Sequence, residues 1–199
     1  MKTMNEIHNY WKNSDYKNHP IDYLKNGGSR SKFLHDKIKN ICKNTDSILE
    51  IGCNVGRNLN YLYENNFKNL VGIEINENAV EIMKENYAEM YNNILIKRGA
   101  AEDKLFEIEN KSIDLIYTMA VLEHIHADSF DFILSEMKRI VKKYIITIED
   151  ERKISDRHFL RNYKKEFEKI GFVEIENCRC KKFTDLSKNY YYRLFKKVK

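Results

Sequence analysis

Three glutamates stand where short apolar segments of the chain end, and their charge limits what the chain can bind. Glu50 lies in the segment 48–51, Glu74 lies in the segment 70–75, and Glu102 follows the segment 94–96. If these segments are parallel strands, their carboxyl ends meet at the edge of a sheet where such sheets bind ligands. Carboxylates at that edge repel a pyrophosphate and attract ammonium or sulfonium groups. The spacing therefore predicts a site for a cationic ligand.

The turn after the first segment has the glycines that close contact with a ligand requires. Gly52 directly follows the segment and permits a tight turn, and Gly56 lets the backbone approach a ligand at the start of the next helix. Asn54 and Arg57 stand where the dinucleotide fingerprint has glycines, so that fingerprint is excluded. Glu74 lies 22 residues after Gly52, from where a carboxylate accepts hydrogen bonds from both hydroxyls of a ribose. A ribose without phosphates, an ammonium and a sulfonium together describe S-adenosylmethionine.

The elements that would hold these residues alternate along the chain. Seven apolar, β-rich runs are predicted strands, namely 48–51, 70–75, 94–96, 113–117, 144–148, 173–180 and 190–195. Segments with helical spacing separate the first five, which is typical of parallel strands joined by helices, whereas none fits between the last two. We therefore predict an α/β fold with a doubly wound, Rossmann-like sheet, mostly parallel and closed by an antiparallel hairpin. Residues 1–45 would form an N-terminal helical lid, and residues 46–199 a single domain.

Polar residues that favour helix N-termini mark where some of the predicted helices begin. Asn76 and Asp128 stand at the starts of two helical stripes that follow strands. Ser29 or Ser31 can cap a helix that precedes the first strand. These positions predict the ends of the helices that flank the sheet.

Four segments resemble, in order and at ordinary spacing, the motifs of the class I S-adenosylmethionine-dependent methyltransferases, particularly the small bacterial group with a type 11 methyltransferase domain. They are 47–58 (motif I), 71–75 (the acidic second strand), 99–103 (the adenine-contacting loop) and 113–126 (the fourth strand with its Leu-Glu-His-Ile segment). The resemblance covers roughly residues 47–150 and, by topology, the final hairpin. It implies S-adenosylmethionine as the cofactor and a methyl acceptor as the partner.

The resemblance also implies a role for each residue of the cofactor site. Glu50 would lie near the methionine ammonium, Glu74 would bind the ribose, and the backbone at Gly52 and Gly56 would leave room for the ligand. The residues that would border the adenine and the methionine end are Ala101, Glu102, Met119 and Ala120. Asn54 departs from the pattern, because the family usually has a glycine there. Since Asn tolerates a left-handed backbone, the turn is expected to be kept, with its side chain bonded to the cofactor or to the loop.

Histidines after the fourth strand are the candidates for the chemical step. Methyl transfer from a sulfonium is an in-line displacement that chiefly needs alignment, together with a base when the acceptor is a hydroxyl. Histidine is the side chain whose ordinary pKa suits a base at neutral pH, which makes His124 and His126 the candidates; the alternative role is packing or orienting the loop. Weaker candidates at the same edge are Glu123, Glu149, Asp150 and His158. No third ligand is apparent for Glu149 and Asp150, so no metal site is predicted.

Aromatic and basic residues on both sides of the cofactor half are candidates for binding the acceptor. The leader, with Tyr10, Trp11, Tyr16 and Tyr23, resembles the lid of the family, or else it packs the first helices against the sheet. The basic residues that can bind an anionic acceptor, or lie on a solvated face, are Arg30, Arg152, Lys153, Arg157 and Arg161. We assign Tyr10, Trp11, Arg30, Arg157 and Arg161 to the predicted acceptor site.

Composition narrows the classes of function. The chain has 199 residues, of which 42% are hydrophobic, and a net charge of +5 that divides into an acidic middle (46–150) and two basic flanks. Its single Pro and seven Gly exclude a collagen-like or linker-rich chain, and no apolar run is long enough for a membrane span. The four Cys show no paired zinc spacing, so they are predicted to be reduced thiols of a cytoplasmic protein.

Three hypotheses remain from the sequence. The first is a methyltransferase that acts on a small molecule, with an oxygen of a phosphorylated, nucleotide-linked or carboxylated metabolite favoured, such as a surface-glycan precursor. The second is methylation of RNA or protein, which the basic flanks permit. The third is a non-catalytic module that binds the cofactor or a partner protein. The sequence predicts neither the acceptor nor the oligomeric state.

Overall fold

The apolar runs of the sequence form one seven-stranded sheet. The computed structural model describes residues 2–13, 18–25, 27–152 and 155–198. The strands are β1 (Ile48–Ile51), β2 (Leu70–Glu74), β3 (Leu95–Arg98), β4 (Ile113–Met119), β5 (Val141–Asp150), β6 (Phe172–Arg179) and β7 (Tyr190–Lys197). Their order is β3-β2-β1-β4-β5-β7-β6. The first five strands run parallel and β7 runs antiparallel to β5 and β6, which confirms the predicted fold class.

Helices cover both faces of this sheet. They are α1 (Met4–Lys12), α2 (Asp22–Lys25), α3 (Gly28–Ile38), α4 (Arg57–Glu64), α5 (Glu77–Asn86), α6 (Ala88–Asn93), α7 (Ala101–Phe106), α8 (Ala127–Ile140) and α9 (Tyr163–Lys169). Side chains of α3 to α6 share a core with Ile48, and those of α7 to α9 share another with Leu49. Since neighbouring residues of a strand point to opposite faces, these cores are the two sides of the sheet. None of the described helices is long and apolar enough to cross a membrane.

The helix starts confirm one predicted cap and correct two others. Asn76 caps α5, because its side chain accepts a hydrogen bond from an N–H of the first turn. The start of α8 is capped by His126, whose Nδ1 accepts from the N–H of Asp128 at 3.2 Å, so the assignment of Asp128 as the cap was wrong. Helix α3 begins after Gly27, and both serines that were predicted to cap it lie inside the helix.

The order of the strands reverses beside β1, and this places a crevice at the carboxyl edge of the sheet. Strand β1 lies between β2 and β4, so the connections after β1 and after β4 lead to opposite faces. A crevice opens between such loops, and ligands of open α/β sheets bind there. The loops after β1, β2, β3 and β4 all carry residues that the sequence assigned to the site.

Helix α1 lies across this edge and contacts several of its loops. His8 places its Nε2 3.4 Å from a carboxylate oxygen of Glu102, in the first turn of α7. The side-chain amide of Asn76 donates to the carbonyl of Trp11 at 2.9 Å. The hydroxyl of Ser129, on α8, donates to the methionine sulfur in the first turn of α1 at 2.9 Å. The leader therefore covers the crevice from the loops after β2 and β3 to the start of α8.

Candidate functional site

A cavity of about 660 Å³ opens at the carboxyl edge of the sheet, beneath α1. Its size is within the roughly 300–1,000 Å³ of small-molecule sites. The predicted site residues that line it are Tyr10, Trp11, Arg30, Glu50, Gly52, Asn54, Glu74, Ala101, Glu102, Met119, Ala120, His124, His126 and Arg157. Gly56 and Arg161 do not line it. The fold therefore brings together most of the residues that the sequence assigned to the cofactor and to the acceptor.

Glu50, on β1, is only 2% exposed and is held by two side chains. Nδ2 of Asn58 donates to its Oε1 at 2.8 Å, and the hydroxyl of Tyr117 donates to its Oε2 at 2.9 Å. Burial raises the pKa of Glu50 to about 8, although both hydrogen bonds act in the opposite direction. At neutral pH this carboxyl is therefore mostly protonated until a positive group approaches it.

Glu74, at the end of β2, is oriented by backbone groups. Its two oxygens accept hydrogen bonds from the N–H groups of Asn54 (2.7 Å) and Asn76 (2.8 Å). Burial raises the pKa of Glu74, and these N–H groups oppose the rise. Asn54 has a φ of +48°, the left-handed conformation expected at this turn, and its Oδ1 accepts from the N–H of Val55 at 2.8 Å. The side chain of Asn54 is thus bonded to its own loop.

The two glycines of the first turn do different things. Gly52 lines the cavity with a φ of +73°, and a Cβ there would lie 2.4 Å from a methyl group of Val121. Gly56 has the same φ but lies outside the cavity, where a Cβ would lie 2.7 Å from Cγ of Met83 on α5. Gly56 therefore lets α4 pack against α5. The expectation that its backbone makes room for the ligand is corrected.

A buried carboxylate holds the loop after β4. Glu149, on β5, accepts hydrogen bonds from the hydroxyl of Thr118 (2.7 Å) and from two backbone N–H groups of the loop. Met119 and Ala120 line the cavity at this point, and Ala120 has a φ of +58°. A left-handed conformation costs a residue with a Cβ about 1–2 kcal/mol, so the loop is held in a strained shape. Burial raises the pKa of Glu149, but the side chain does not line the cavity and is not placed to act as a base there.

Glu123, His124 and His158 form a cluster in the cavity wall. Oε1 of Glu123, a residue that is 1% exposed, lies 3.5 Å from Nε2 of His124 and 3.6 Å from Nε2 of His158. Nδ1 of His124 is hydrogen-bonded to the carbonyl of Arg157 at 2.9 Å, and Nδ1 of His158 to Oγ of Ser155 at 2.7 Å. Both rings thus turn their Nε2 atoms towards one carboxylate oxygen. His158, the weaker candidate in the sequence, stands next to His124, with 4.4 Å between the ring centroids.

Two predicted site residues are engaged by the protein itself. Nδ1 of His126 serves as the cap of α8, which leaves the proton of the neutral ring on Nε2. His126 therefore has no lone pair to offer as a base while it caps the helix. Arg161 donates to the carbonyls of Leu122 and Ile125 at 2.7 Å each, and its guanidinium lies 3.8 Å from the centroid of the Phe130 ring. The predicted acceptor contact of Arg161 is corrected, since its donors hold the loop after β4 instead.

The other acceptor candidates line the cavity with partners of their own. Arg30 forms a two-pronged ion pair with Asp185, at 2.6 and 2.9 Å. The guanidinium of Arg157 lies 3.6 Å from the centroid of the Tyr10 ring. The charge of Arg30 is therefore balanced by a close ion pair, whereas Arg157 has a looser one, with its Nε 3.8 Å from Oδ1 of Asp156, and is stacked on an aromatic ring.

Trp11 is the aromatic residue of α1 that reaches the cluster. Its ring centroid lies 4.6 Å from that of His124. Its Nε1 is buried, and within the described ranges it has no hydrogen-bond acceptor. A buried N–H without an acceptor costs about 1–3 kcal/mol, so an acceptor atom of a ligand is expected there. Tyr16 and Lys153, two further candidates from the sequence, lie outside the described residues.

Sequence reasoning missed the side chains that support the site. Tyr117 lies directly across from Glu50 in the pairing of β1 with β4, and a sequence does not give that register. Asn58 belongs to the first motif and is the second residue of α4, and its place in that motif is the signal that could have identified it. Asp185 lies in the connection between β6 and β7, 155 residues from Arg30, and nothing in the sequence links the two.

About half of the chain matches a known family of protein domains. Residues 48–144 match the family model described as a methyltransferase domain. No curated protein sequence matches the chain significantly. The matched segment runs from the start of β1 into β5, so it contains the loops at the strand ends that line the cavity.

Solved structures share the architecture at low identity. The PH0226 protein of Pyrococcus horikoshii OT3 is 15% identical, the match covers 100% of both chains, and the TM-score is 0.69. Phosphoethanolamine N-methyltransferase 1 of Haemonchus contortus is 16% identical with a TM-score of 0.73, over 98% of this chain and 49% of that one. The [4+2]-cyclase SpnF is 12% identical with a TM-score of 0.66, over 85% and 81%. The fold thus also occurs in a cyclase, so the family match rather than the fold indicates the activity. That match covers just under half of the chain, and residues 48–144, together with the strand order, are similar to the methyltransferase domain of class I S-adenosylmethionine-dependent methyltransferases.

Proposed function

We propose that the chain binds S-adenosylmethionine in the cavity beneath α1 and transfers its methyl group to an oxygen of a small molecule. The observation that carries the proposal is the pair of carboxylates at the ends of neighbouring strands. Glu50 and Glu74 are both buried, both line the cavity and both are fixed by hydrogen bonds. Two buried carboxylates suit a ligand with positive charge and hydroxyl groups.

The cofactor would lie along the strand ends. The ammonium would approach Glu50, whose ionised form it favours. The ribose hydroxyls would donate to Glu74, because a carboxylate has about four lone-pair positions and backbone N–H groups occupy two of them. Ala101 and Glu102 would border the adenine, and Met119 and Ala120 the methionine end.

The acceptor is proposed to be small because α1 covers the crevice. Contacts of α1 with Glu102, Asn76 and Ser129 span the site, so a folded RNA or protein would have to displace the helix. We propose that α1 is the lid that the sequence placed in residues 1–45. Helix α3 packs in the main core, with Leu34 and Ile38 fully buried, and is a structural part of the domain.

The chemical step would be a displacement at the methyl carbon. The acceptor oxygen forms the new bond to that carbon, the carbon–sulfur bond breaks, and its electron pair stays on sulfur, which becomes a neutral thioether. The proton of a hydroxyl acceptor would leave to water beside the cluster of Glu123, His124 and His158. Trp11, with its buried N–H, would donate to the acceptor and help to align it.

We favour an anionic acceptor, and fewer basic residues are now proposed to contact it than were predicted from the sequence. Arg157 is the residue proposed to contact the phosphate or carboxylate of the metabolite, for example of a nucleotide-linked precursor of a surface glycan. Arg30 is balanced by Asp185 and would contribute less. We also propose a cytoplasmic location, because Cys42, Cys53, Cys178 and Cys180 are all free thiols.

Labelled S-adenosylmethionine tests the proposal directly. The full chain is first titrated with S-adenosylmethionine by calorimetry, and Glu74→Gln should bind it more weakly. It is then incubated with the labelled cofactor and a fractionated cell extract, and mass spectrometry identifies the labelled product. Absence of cofactor binding at millimolar concentration would contradict the cofactor site. Label that appears only in RNA or protein would contradict the small-molecule acceptor.

A matched pair of arginine variants tests the charge of the acceptor once it is identified. Arg157→Gln should raise its KM, because Arg157 lines the cavity. Arg152→Gln should leave the KM unchanged, because Arg152 lies in the same connection after β5 but outside the cavity wall. Equal KM values in both variants would contradict an anionic group beside Arg157.

A further inference from the structure

We propose that Glu123, His124 and His158 bind a divalent transition-metal ion in the wall of the cavity. The three residues offer one carboxylate oxygen and two imidazole nitrogens that all lie within 4.8 Å of one another. No metal site was predicted from the sequence, because His158 lies 34 residues after His124 and only the fold brings the two histidines together. The existence of the site is independent of the proposed methyl transfer, whereas its role in catalysis rests on it.

The distances in the cluster are close to those of a zinc site. Ligand atoms about 2.0–2.1 Å from a tetrahedral zinc ion lie about 3.3–3.4 Å from one another. Oε1 of Glu123 lies 3.5 Å from Nε2 of His124 and 3.6 Å from Nε2 of His158. These two pairs need to contract by only a few tenths of an ångström, and the ligand nitrogens of the two histidines, which lie within 4.8 Å of each other, would also have to approach the ion.

Groups behind the ligands orient them for metal binding. The carbonyl of Arg157 can only accept a hydrogen bond, so Nδ1 of His124 carries the proton and Nε2 carries the lone pair. Nδ1 of His158 is hydrogen-bonded to the hydroxyl of Ser155, which can accept from Nδ1 when Nε2 binds a metal. Histidine ligands of metals usually have such a partner on the second nitrogen.

Two further groups fix the carboxylate of Glu123. The backbone N–H of Asp150 donates to its Oε2, and the hydroxyl of Tyr190 donates to its Oε1 at 2.9 Å. A second buried carboxylate, Glu149, accepts from the N–H of Glu123 at 3.2 Å. Two buried acids so close together favour a cation among them. A doubly charged ion at the cluster would balance both.

The ligand set selects the class of ion. Two imidazoles with one carboxylate suit zinc, iron, cobalt or nickel, whereas magnesium and calcium prefer oxygen ligands. Catalytic zinc sites of this composition keep an open fourth position. All three ligands line the cavity, so that position would face the acceptor. The positive charge of the ion would lower the pKa of an acceptor hydroxyl beside it, and the proton would leave to water.

Metal titrations of the full chain test the site. The protein is freed of metal with a chelator and titrated with Zn²⁺ by calorimetry and with Co²⁺ by absorption spectroscopy. We expect one Zn²⁺ per chain, and visible Co²⁺ bands that Zn²⁺ displaces. Glu123→Gln and His158→Gln should each weaken Zn²⁺ binding by at least about 100-fold, since even groups behind a metal ligand are worth about 10- to 100-fold.

His126→Gln is the matched control, because His126 lies in the same loop and lines the cavity but is outside the cluster. It should bind Zn²⁺ like the wild type. Unfolding curves identify any variant that does not fold. Because Glu123→Gln and His158→Gln change different segments of the chain, one of them still tests the site if the other fails to fold. Absence of Zn²⁺ binding to the wild type overturns the proposal, and so does equal binding by the wild type and a folded ligand variant.

S-adenosylhomocysteine binding, measured on the same samples, keeps the two proposals apart. If the cofactor product binds and Zn²⁺ does not, only the metal site is overturned. If Zn²⁺ binds and the cofactor product does not, the metal site stands and the proposed function is overturned.

Discussion

Binding of a cationic cofactor should release a proton from Glu50. Burial raises the pKa of this carboxyl to about 8 in the free protein. At pH 7 a group with that pKa is about 90% protonated. A bound ammonium favours the ionised carboxylate, and the proton is then displaced to the solvent. We therefore expect about 0.9 protons to be released for each cofactor bound at pH 7.

The same equilibrium sets the pH dependence of affinity. Between pH 6 and pH 7 the ionised fraction of Glu50 increases by up to about tenfold, so the Kd should fall by a similar factor. Affinity thus rises with pH as long as the pH is below the raised pKa. Above about pH 7.5 the gain fades, because an α-amino group such as that of the cofactor begins to lose its own proton.

Calorimetry with S-adenosylmethionine in two buffers of different ionisation enthalpy counts the protons, and a pH series gives the slope of log Kd. Glu50→Gln should remove about one unit of that slope, because each titrating proton contributes about one. Glu102→Gln changes another carboxyl of the same cavity and should keep the slope. The reasoning is refuted if the wild-type Kd is the same at pH 6 and pH 7, or if the slope survives in Glu50→Gln.

Three further substitutions test the loops around the cavity. Gly52→Ala should lower the free energy of unfolding, measured by urea titration, by about 1–3 kcal/mol, because its Cβ would meet Val121. Gly28→Ala is the control: a Cβ there meets nothing within 4 Å, so the substitution should be neutral or stabilising in the same titration. Asn54→Gly should keep the affinity for S-adenosylhomocysteine within about twofold, since glycine adopts the left-handed backbone freely, and a large loss would show that the side chain binds the ligand. Arg161→Ala should lower the free energy of unfolding by about 2–3 kcal/mol, because two charge-assisted hydrogen bonds are lost; an unchanged stability with a raised KM for the acceptor would restore the original assignment.

The parts of the fold that the sequence predicts well depend on local pattern. All seven strands overlap the predicted apolar runs. In the central strands β1, β2 and β4, residues buried on both faces of the sheet leave a continuous apolar signal, whereas the edge strands β3 and β6 are largely exposed. Asn76 caps its helix because the cap depends on neighbours within one turn. The cap of α8 was assigned two residues too late. His126 precedes the helix with an extended backbone and is its cap, whereas Asp128 lies within the first turn with its side chain 83% exposed.

The parts that the sequence does not predict depend on register and on contacts between distant segments. Glu50 was assigned to the site from its strand, but its raised pKa follows from the depth of burial that β4 and α4 create. Arg161 was assigned from charge alone, and its target carbonyls become visible only when α9 is docked. The neighbours of His158 are hidden from the sequence in the same way, since helix α8, strand β5 and the connection after β5 separate it from His124.

The position of α1 has a consequence for the order of events during turnover. The helix contacts Glu102 at one side of the crevice and, through Trp11, His124 at the other. If α1 is the lid proposed above, its detachment would open both sides of the crevice, so the two products would depart during one opening event. We expect the enzyme to exchange both ligands in each opening and to show a turnover rate limited by the detachment of α1, which makes the first twelve residues a kinetic element of the enzyme as well as a cover.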